Sequence, residues 1–209
     1  MTRPLSSFFA LLLASSILLV GCNGDPDGDA PLPDTQATFW DRMEAMCGEA
    51  FPGEVLEAPE DDDTFDDDPI IMHVRQCFDE EIRIPLHVGE DRSRTWIVSQ
   101  AESGLRLKHD HRNEDGSEEE VTNYGGDTMD DGSTSQQEFH ADDFTAELIP
   151  EAETNVWTIE IDPGDTFVYA LRREGTDRRF RLEFDLTEPV DAPPAPWGYE
   201  DTDPTPAMH

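Results

Sequence analysis

Positive charge is scarce in this sequence, and lysine is almost missing. Against 49 acidic residues the chain has 14 basic ones, of which only Lys108 is a lysine, so the formal net charge is −35. A surface this acidic repels phosphate backbones, which argues against a nucleic-acid partner. The length of 209 residues suits one domain with flanking tails.

The common catalytic motifs are also missing. The chain has no Gly-x-Ser-x-Gly elbow, no phosphate-binding loop and no His-Glu-x-x-His helix. Pairs of carboxylates arise by chance among 49 acidic residues, so they identify no acid–base pair. We assign no catalytic residue and no cofactor, and the pattern as a whole weighs against an enzyme.

Cysteine occurs only three times, and the first copy has an informative position. Cys22 ends an apolar run that extends from Leu5 to Val20 and follows Arg3. The run is short for a membrane-spanning helix and is typical of a secretory signal. Its end, Leu19-Val20-Gly21-Cys22, resembles the lipobox of bacterial lipoproteins. The alternative is an ordinary signal peptide with a chance cysteine.

The lipoprotein resemblance implies an anchored envelope protein. Cleavage before Cys22 would remove residues 1–21, and acyl chains of the palmitate kind on Cys22 would hold the protein on a lipid bilayer. Two or three chains anchor stably, whereas one does not. Asn23 stands where an Asp favours retention at the inner membrane, so we expect the outer membrane in an organism that has one. No later segment reaches about 18 apolar residues, the length that spans a bilayer.

The other two cysteines, Cys47 and Cys77, form an even pair. In an oxidising compartment such a pair predicts a disulfide. It would close a loop of about 30 residues and stabilise the fold by ~3 kcal/mol in the chain-entropy model. Two buried free thiols, or a two-cysteine metal site, are the alternatives.

The domain itself is predicted over residues 38–188. Phe39, Trp40, Met43 and Cys47 follow helical spacing, which predicts a short amphipathic helix over 39–50. From residue 70 the apolar period becomes two, as in a half-buried strand. The predicted strands are 70–77, 81–88, 94–101, 104–111, 118–124, 135–140, 144–149, 155–161, 166–173 and 179–186.

These strands predict an all-β fold. About nine or ten strands joined by turns, with no helical period between them, favour an antiparallel meander closed into a lipocalin-like barrel. A β-sandwich is the alternative. Residues 22–37 are predicted to be a disordered acidic tether, and the Pro-rich acidic tail 189–209 to be disordered or extended. The acidic run 57–69 lacks EF-hand spacing and is predicted to be a solvated loop.

Histidines are the best candidates for chemistry. His109 and His111 are two residues apart in a strand and therefore share a face, which also carries Leu105 and Leu107. Two imidazoles inside a barrel can bind a metal or orient a polar ligand group, and His73 is a candidate third ligand. The alternative is that the strand leaves the core before His109, which places both rings near solvent.

Five arginines flank one predicted hairpin turn and form a local basic patch, and Arg92 and Arg94 flank another turn in the same way. Such a patch can hold a carboxylate, sulfate or phosphate through bidentate contacts. Pairing with acidic side chains on neighbouring strands is the alternative, and we favour it. The five are Arg172, Arg173, Arg178, Arg179 and Arg181.

Three stretches of the domain resemble an uncharacterised family of bacterial secreted proteins and lipoproteins. They are HVRQCFDEEIRIPLHVGEDRSRTW, GLRLKHDHRNEDGSEEEVTNYGGDT and ALRREGTDRRFRLEFDL. The resemblance implies membership of a group and no activity.

Three functions remain open from the sequence. The first is a non-catalytic barrel that binds a small apolar or amphipathic ligand. The second is a structural or protein-interaction lipoprotein without a pocket. The third, with the least support, is a barrel-based enzyme that uses His109 or His111. The sequence does not indicate an oligomeric state.

Overall fold

A computed structural model describes residues 31–60, 65 and 68–206. The predicted signal peptide, Cys22 and most of the tether lie outside these residues. No helix in the described part is long and apolar enough to cross a bilayer. The elements are α1 (Asp34–Glu44), β1 (Ala50–Glu57), β2 (Ile70–His73), β3 (Gln76–Phe78), β4 (Glu81–Val88), β5 (Asp91–Ala101), β6 (Gly104–His111), β7 (Tyr124–Thr128), β8 (Gln136–Ala141), α2 (Asp143–Leu148), a 3-10 turn (Pro150–Ala152), β9 (Asn155–Asp162), β10 (Thr166–Arg173) and β11 (Arg179–Asp185).

The strands form a closed antiparallel barrel, as the alternating pattern predicted. Each strand from β4 to β11 pairs with the next along the chain, and β11 pairs with β1. β1 pairs with β2, and β2 pairs with β4, which closes a ring of ten strands and leaves β3 outside on β4. Closure confirms the lipocalin-like barrel and excludes the β-sandwich.

The two ends of the barrel differ. Helix α1 covers one end, where it buries Phe39, Trp40 and Met43. Gln36 on the same helix donates from Nε2 to Thr128 Oγ1 at 3.0 Å. Burial of side chains of this size contributes about 1.5–3 kcal/mol each, so α1 is held mainly by packing. The C-terminal ends of β4, β6 and β10 lie at the opposite end.

Helix α1 starts earlier and ends earlier than the predicted 39–50. It begins at Asp34, directly after Pro33, and ends at Glu44. Ala50 already belongs to β1. Gly48, with φ 85°, lies in the turn between them, and this left-handed conformation is one that glycine adopts without steric cost.

Two predicted strands are wrong. Residues 143–148 form the helix α2 rather than a strand, and the Asp142 side chain accepts a hydrogen bond from the Thr145 amide at 2.9 Å. An aspartate at this N-cap position stabilises a helix start, a signal that the apolar spacing hid. Predicted strand 118–124 is mostly irregular, and the strand that forms, β7, begins at Tyr124.

Two other elements escaped the period-two pattern because they contain glycine. β1 carries Pro52-Gly53, and β7 carries Gly125-Gly126. A Cβ on Gly126 would lie 1.6 Å from the His140 carbonyl oxygen, and one on Gly125 would lie 1.9 Å from that of Leu107. Strand β7 therefore reaches both of its neighbours only because these two positions have no side chain.

The C-terminal tail, predicted to be disordered or extended, packs against the barrel in the residues described. Residues 187–206 have no regular structure, yet they run along the outer face of the barrel. The Trp197 amide donates to the Arg92 carbonyl at 3.1 Å, and the Thr205 amide donates to that of Arg75 at 2.8 Å. The Tyr199 hydroxyl donates to Asp110 at 2.8 Å. Proline stiffens this segment, so less entropy is lost when it is ordered.

Removal of the tail is expected to raise the pKa of His73. Burial is the main reason why that pKa lies at about 4 instead of 6.5, and Arg75, two residues away, donates to the tail carbonyl of Thr202 at 2.6 Å. A chain that ends at Glu188 should show His73 titrating closer to 6.5 in an NMR pH series. A midpoint that stayed near 4 would mean that the tail does not bury this ring.

The disulfide between Cys47 and Cys77 is confirmed. Cys47 lies in the turn after α1, and Cys77 lies in β3, 30 residues further along. The bond therefore ties the chain that leaves the helix to the strand outside the ring.

Candidate functional site: a cavity at the open end of the barrel

The barrel is filled by apolar side chains near α1 and is hollow at the other end. A cavity of about 320 Å³ lies there, and Trp96 and Tyr169 form part of its wall. Their rings stack at a centroid distance of 4.2 Å. Trp157 and His109 line the cavity as well, with ring centroids 5.2 Å apart. This volume is within the usual range for small-molecule sites.

Two larger depressions lie elsewhere on the described surface. One, of about 510 Å³, runs along β1 and β11, and the other, of about 520 Å³, lies beside the turn between β9 and β10. Their walls are mostly polar and acidic side chains of strand ends and turns. Neither encloses an aromatic wall, so the cavity inside the barrel is the candidate site.

His109 lies deep in this cavity, as its inward face predicted. Its Nδ1 is 3.1 Å from the Tyr124 carbonyl oxygen, and its Nε2 is 2.8 Å from the Tyr169 hydroxyl. A carbonyl only accepts, so Nδ1 carries the proton and Nε2 accepts from Tyr169. Burial lowers the pKa of His109 to about 3, which keeps the ring neutral. Both ring nitrogens are thus already in use.

His111 lies nearer the mouth. Its Nε2 is 3.1 Å from the Tyr124 hydroxyl, and its Nδ1 is 3.9 Å from Glu119. Burial, and then the positive charge of Arg94, lower the pKa of His111 to about 4. Burial also raises the pKa of Tyr124 to about 12 and that of Tyr169 well above 10. At neutral pH the four groups are uncharged.

His73 is not part of this arrangement. His73 lies on β2 next to His87 of β4, and burial lowers the pKa of both rings to about 4. The ring nitrogens of His73 have no side-chain hydrogen-bond partner among the described residues. The structure thus brings His109 and His111 together and leaves His73 elsewhere. Within the described ranges, no group of three His, Cys, Asp or Glu side chains is placed to hold a metal ion. Most of the acidic run 57–69 beyond Glu60 falls outside those ranges.

The five arginines of the predicted patch divide between two faces. Arg172 forms a bidentate pair with Glu138, both contacts being 2.7 Å, and Arg181 pairs with Glu160 at 3.2 and 3.3 Å. These two pairs are contacts with acidic side chains, as we favoured, but each reaches across an intervening strand rather than to a neighbouring one, and Arg179 is exposed. Arg173 and Arg178 instead line the cavity.

Several residues of the site escaped the sequence analysis. The sequence analysis assigned the aromatic residues of the wall to the core alone, and it did not place Arg94 in the same site as Arg173. The alternation along the strands contained the signal that these arginines face inward, because Arg94 lies two residues before Trp96 and Arg173 lies two residues after Leu171. Charged residues that continue an inward apolar series at the end of a strand lie at the mouth of a barrel. The aromatic wall residues that the sequence analysis did not assign to a site are Trp96, Tyr124, Trp157 and Tyr169.

Comparison with known proteins gives no relative: no family model, no curated protein and no solved structure matches this chain.

Proposed function

We propose that this protein is a lipid-anchored envelope protein whose barrel binds a small organic molecule without transforming it. The observation that carries the proposal is the cavity of about 320 Å³ with its stacked aromatic wall. Small barrels are often filled completely by side chains, and this one is filled only near α1. Unfilled aromatic surface at the open end favours a ligand with an apolar part.

The state of the polar groups supports binding over catalysis. A general base needs a free lone pair and a pKa near the working pH. Nε2 of His109 already accepts from Tyr169, and the pKa of His109 lies at about 3. The two tyrosines hold their protons well above neutral pH. Neutral groups that already hydrogen-bond one another form a fixed wall for a ligand rather than a proton-transfer pair.

The anchor in this proposal rests on the sequence Leu19-Val20-Gly21-Cys22. The disulfide between Cys47 and Cys77 fits an exported protein, because such bonds persist in oxidising compartments. Export followed by acylation of Cys22 would place the barrel at a membrane surface.

A neutral fluorescent probe, N-phenyl-1-naphthylamine, tests the cavity. We expect the full-length protein to bind it, and Leu171→Trp to weaken binding at least about tenfold, because Leu171 lines the cavity. Ala170→Trp is the matched control, since the neighbouring side chain faces the outside of β10 and should leave binding unchanged. Equal binding by the two variants, or no binding by the parent protein, would refute the proposal.

Metabolic labelling with an alkyne fatty acid tests the anchor. The full chain expressed in a bacterial host should incorporate the label and fractionate with membranes, and Cys22→Ser should lose both properties. Label that persists in the variant, or a parent protein without label, would contradict the assignment.

A further inference from the structure

Among the described residues that line the cavity, the balance of charge is the opposite of that of the whole chain. The protein has 49 acidic and 14 basic residues. Yet the described residues that line the cavity include three arginines and no aspartate or glutamate. The arginines are Arg94, Arg173 and Arg178, contributed by two strands and the turn before a third. A random sample of this composition would be dominated by carboxylates, so the cationic lining is a specific feature of the site.

Arg173 is the arginine best placed to take a ligand. Its Nε donates to the Asn155 side-chain oxygen at 2.9 Å, a neutral acceptor. Among the described residues no carboxylate lies within 4.0 Å of its nitrogens. Partial burial and the like charge of Arg178 lower its pKa. A guanidinium has five N–H donors, and among the described residues the terminal amino groups of Arg173 make no hydrogen bond to a carboxylate.

Arg94 supplies a second positive group across the cavity. It lies on the inward face of β5, two residues before Trp96, and pairs with Asp91 at the rim. Its charge is close enough to lower the pKa of His111 and that of Tyr124. Asp91 pairs with Arg94, and a carboxylate oxygen of Glu119 lies 3.9 Å from Nδ1 of His111, so the charge of Arg94 is partly offset on this side of the cavity. Arg173, on the other side, has no carboxylate in contact among the described residues and is the less compensated of the two.

The remaining wall is aromatic and flat. Trp96 and Tyr169 are stacked with an interplanar angle of 15°, and His109 and Tyr124 are stacked at 4.6 Å with an angle of 8°. Planar walls of this kind favour planar ligand rings, which pack in offset or edge-on contact. A cavity of about 320 Å³ has room for one or two fused rings with a short side chain.

We infer that the ligand is a small aromatic monoanion, a planar ring system with one carboxylate or sulfonate. The acid group would lie against Arg173, with Arg94 across the cavity, and the rings would lie against Trp96 and Tyr169. Guanidinium–carboxylate contacts are strong where water is partly excluded. This inference rests on the proposed binding function and adds the ligand class to it.

A pair of isosteric probes tests the charge requirement. Naphthalene-1-acetate and naphthalene-1-acetamide differ in one group and share their rings. Isothermal titration of the full-length protein should give at least about tenfold tighter binding of the acid, the size of one charge-assisted contact. Added salt should reduce the difference in affinity between the acid and the amide, because it screens the attraction between the carboxylate and the arginine.

Two neighbouring variants test the residue. Arg173→Gln should abolish the preference for the acid, and a circular dichroism spectrum like that of the parent protein would show that the variant is folded. Arg172→Gln removes the same charge from the outer face, where Arg172 pairs with Glu138, and should keep the preference. Equal affinity of the parent protein for acid and amide, or a preference unchanged in Arg173→Gln, would overturn the inference and leave the binding function intact. If no probe binds, the binding function itself fails.

Discussion

Acidification to about pH 4.5 is expected to lower the free energy of unfolding substantially, because the fold holds four histidines neutral. Burial lowers the pKa of His109 to about 3 and that of the other three to about 4. In the unfolded chain the histidines have pKa values near 6.5, so as the pH falls below that value they bind protons before the histidines of the folded protein do. The contribution of these histidines to the free energy of unfolding is therefore fully present above pH 6.5 and is lost as the pH falls towards 4. By pH 4.5 the loss is on the order of 2 kcal/mol per histidine. The other three are His73, His87 and His111.

Urea unfolding at about pH 7 and pH 4.5 measures this effect. His109→Gln should be less stable at pH 7, because it loses hydrogen bonds to Tyr124 and Tyr169, and it should lose less stability on acidification than the parent protein. His140→Gln, on the outer face of β8, is the matched control and should keep the parental pH dependence. Protonation of the acidic surface relieves repulsion equally in all three proteins. A pH dependence in His109→Gln identical to that of the parent would contradict the account.

Reduction of the disulfide is expected to cost about 3 kcal/mol. The bond closes a loop of 30 residues that contains β1 and β2, the two strands that complete the ring. Without the bond the unfolded chain gains the entropy of that loop, which lowers the free energy of unfolding. The thiols are also freed at the point where the chain leaves α1, so the helix loses one of its fixed connections.

Thermal or urea unfolding with and without a phosphine reductant measures the difference on an unchanged sequence. The Cys47→Ala, Cys77→Ala double variant should match the reduced protein to within the cost of the removed side chains, and reductant should have no further effect on it. An oxidised and a reduced protein of equal stability would show that the loop is held closed by packing alone.

The barrel was predictable because apolar and polar residues alternate along its strands. In β6, β9, β10 and β11 apolar residues recur at every second position over at least part of the strand, and the turns between the later strands are marked by glycine. Alternation failed where local chemistry differed. Asp142 capped α2 in a segment with strand-like spacing, and Gly125-Gly126 formed a strand without side chains to show a period.

The packing of the tail on the barrel was not predicted, for a different reason. Its proline and acidic residues carry no period, and composition of this kind is typical of disorder. The order comes from partners far away in sequence, such as Asp110 for Tyr199 and Arg75 for Thr205. A local reading of the sequence has no access to such contacts.

Part of the candidate site could be predicted and part could not. The inward face of His109 and His111 follows from spacing, and so does the division between Arg172 and Arg173 once the strand is placed. The separation of His73 from the other two histidines does not, because it depends on which strands are neighbours in the ring.

The sequence by itself determined most of the strand pattern, the charge of the surface and the pairing of Cys47 with Cys77. Only the tertiary structure determined that the barrel is hollow at one end, that Arg94 and Arg173 line that cavity, and that the tail packs on the outer face. The physical reason is that side-chain alternation is a local property, whereas a cavity is the volume left between residues far apart in the chain. Arg94 and Arg173 are 79 positions apart, and only ring closure places them around one ligand-sized space.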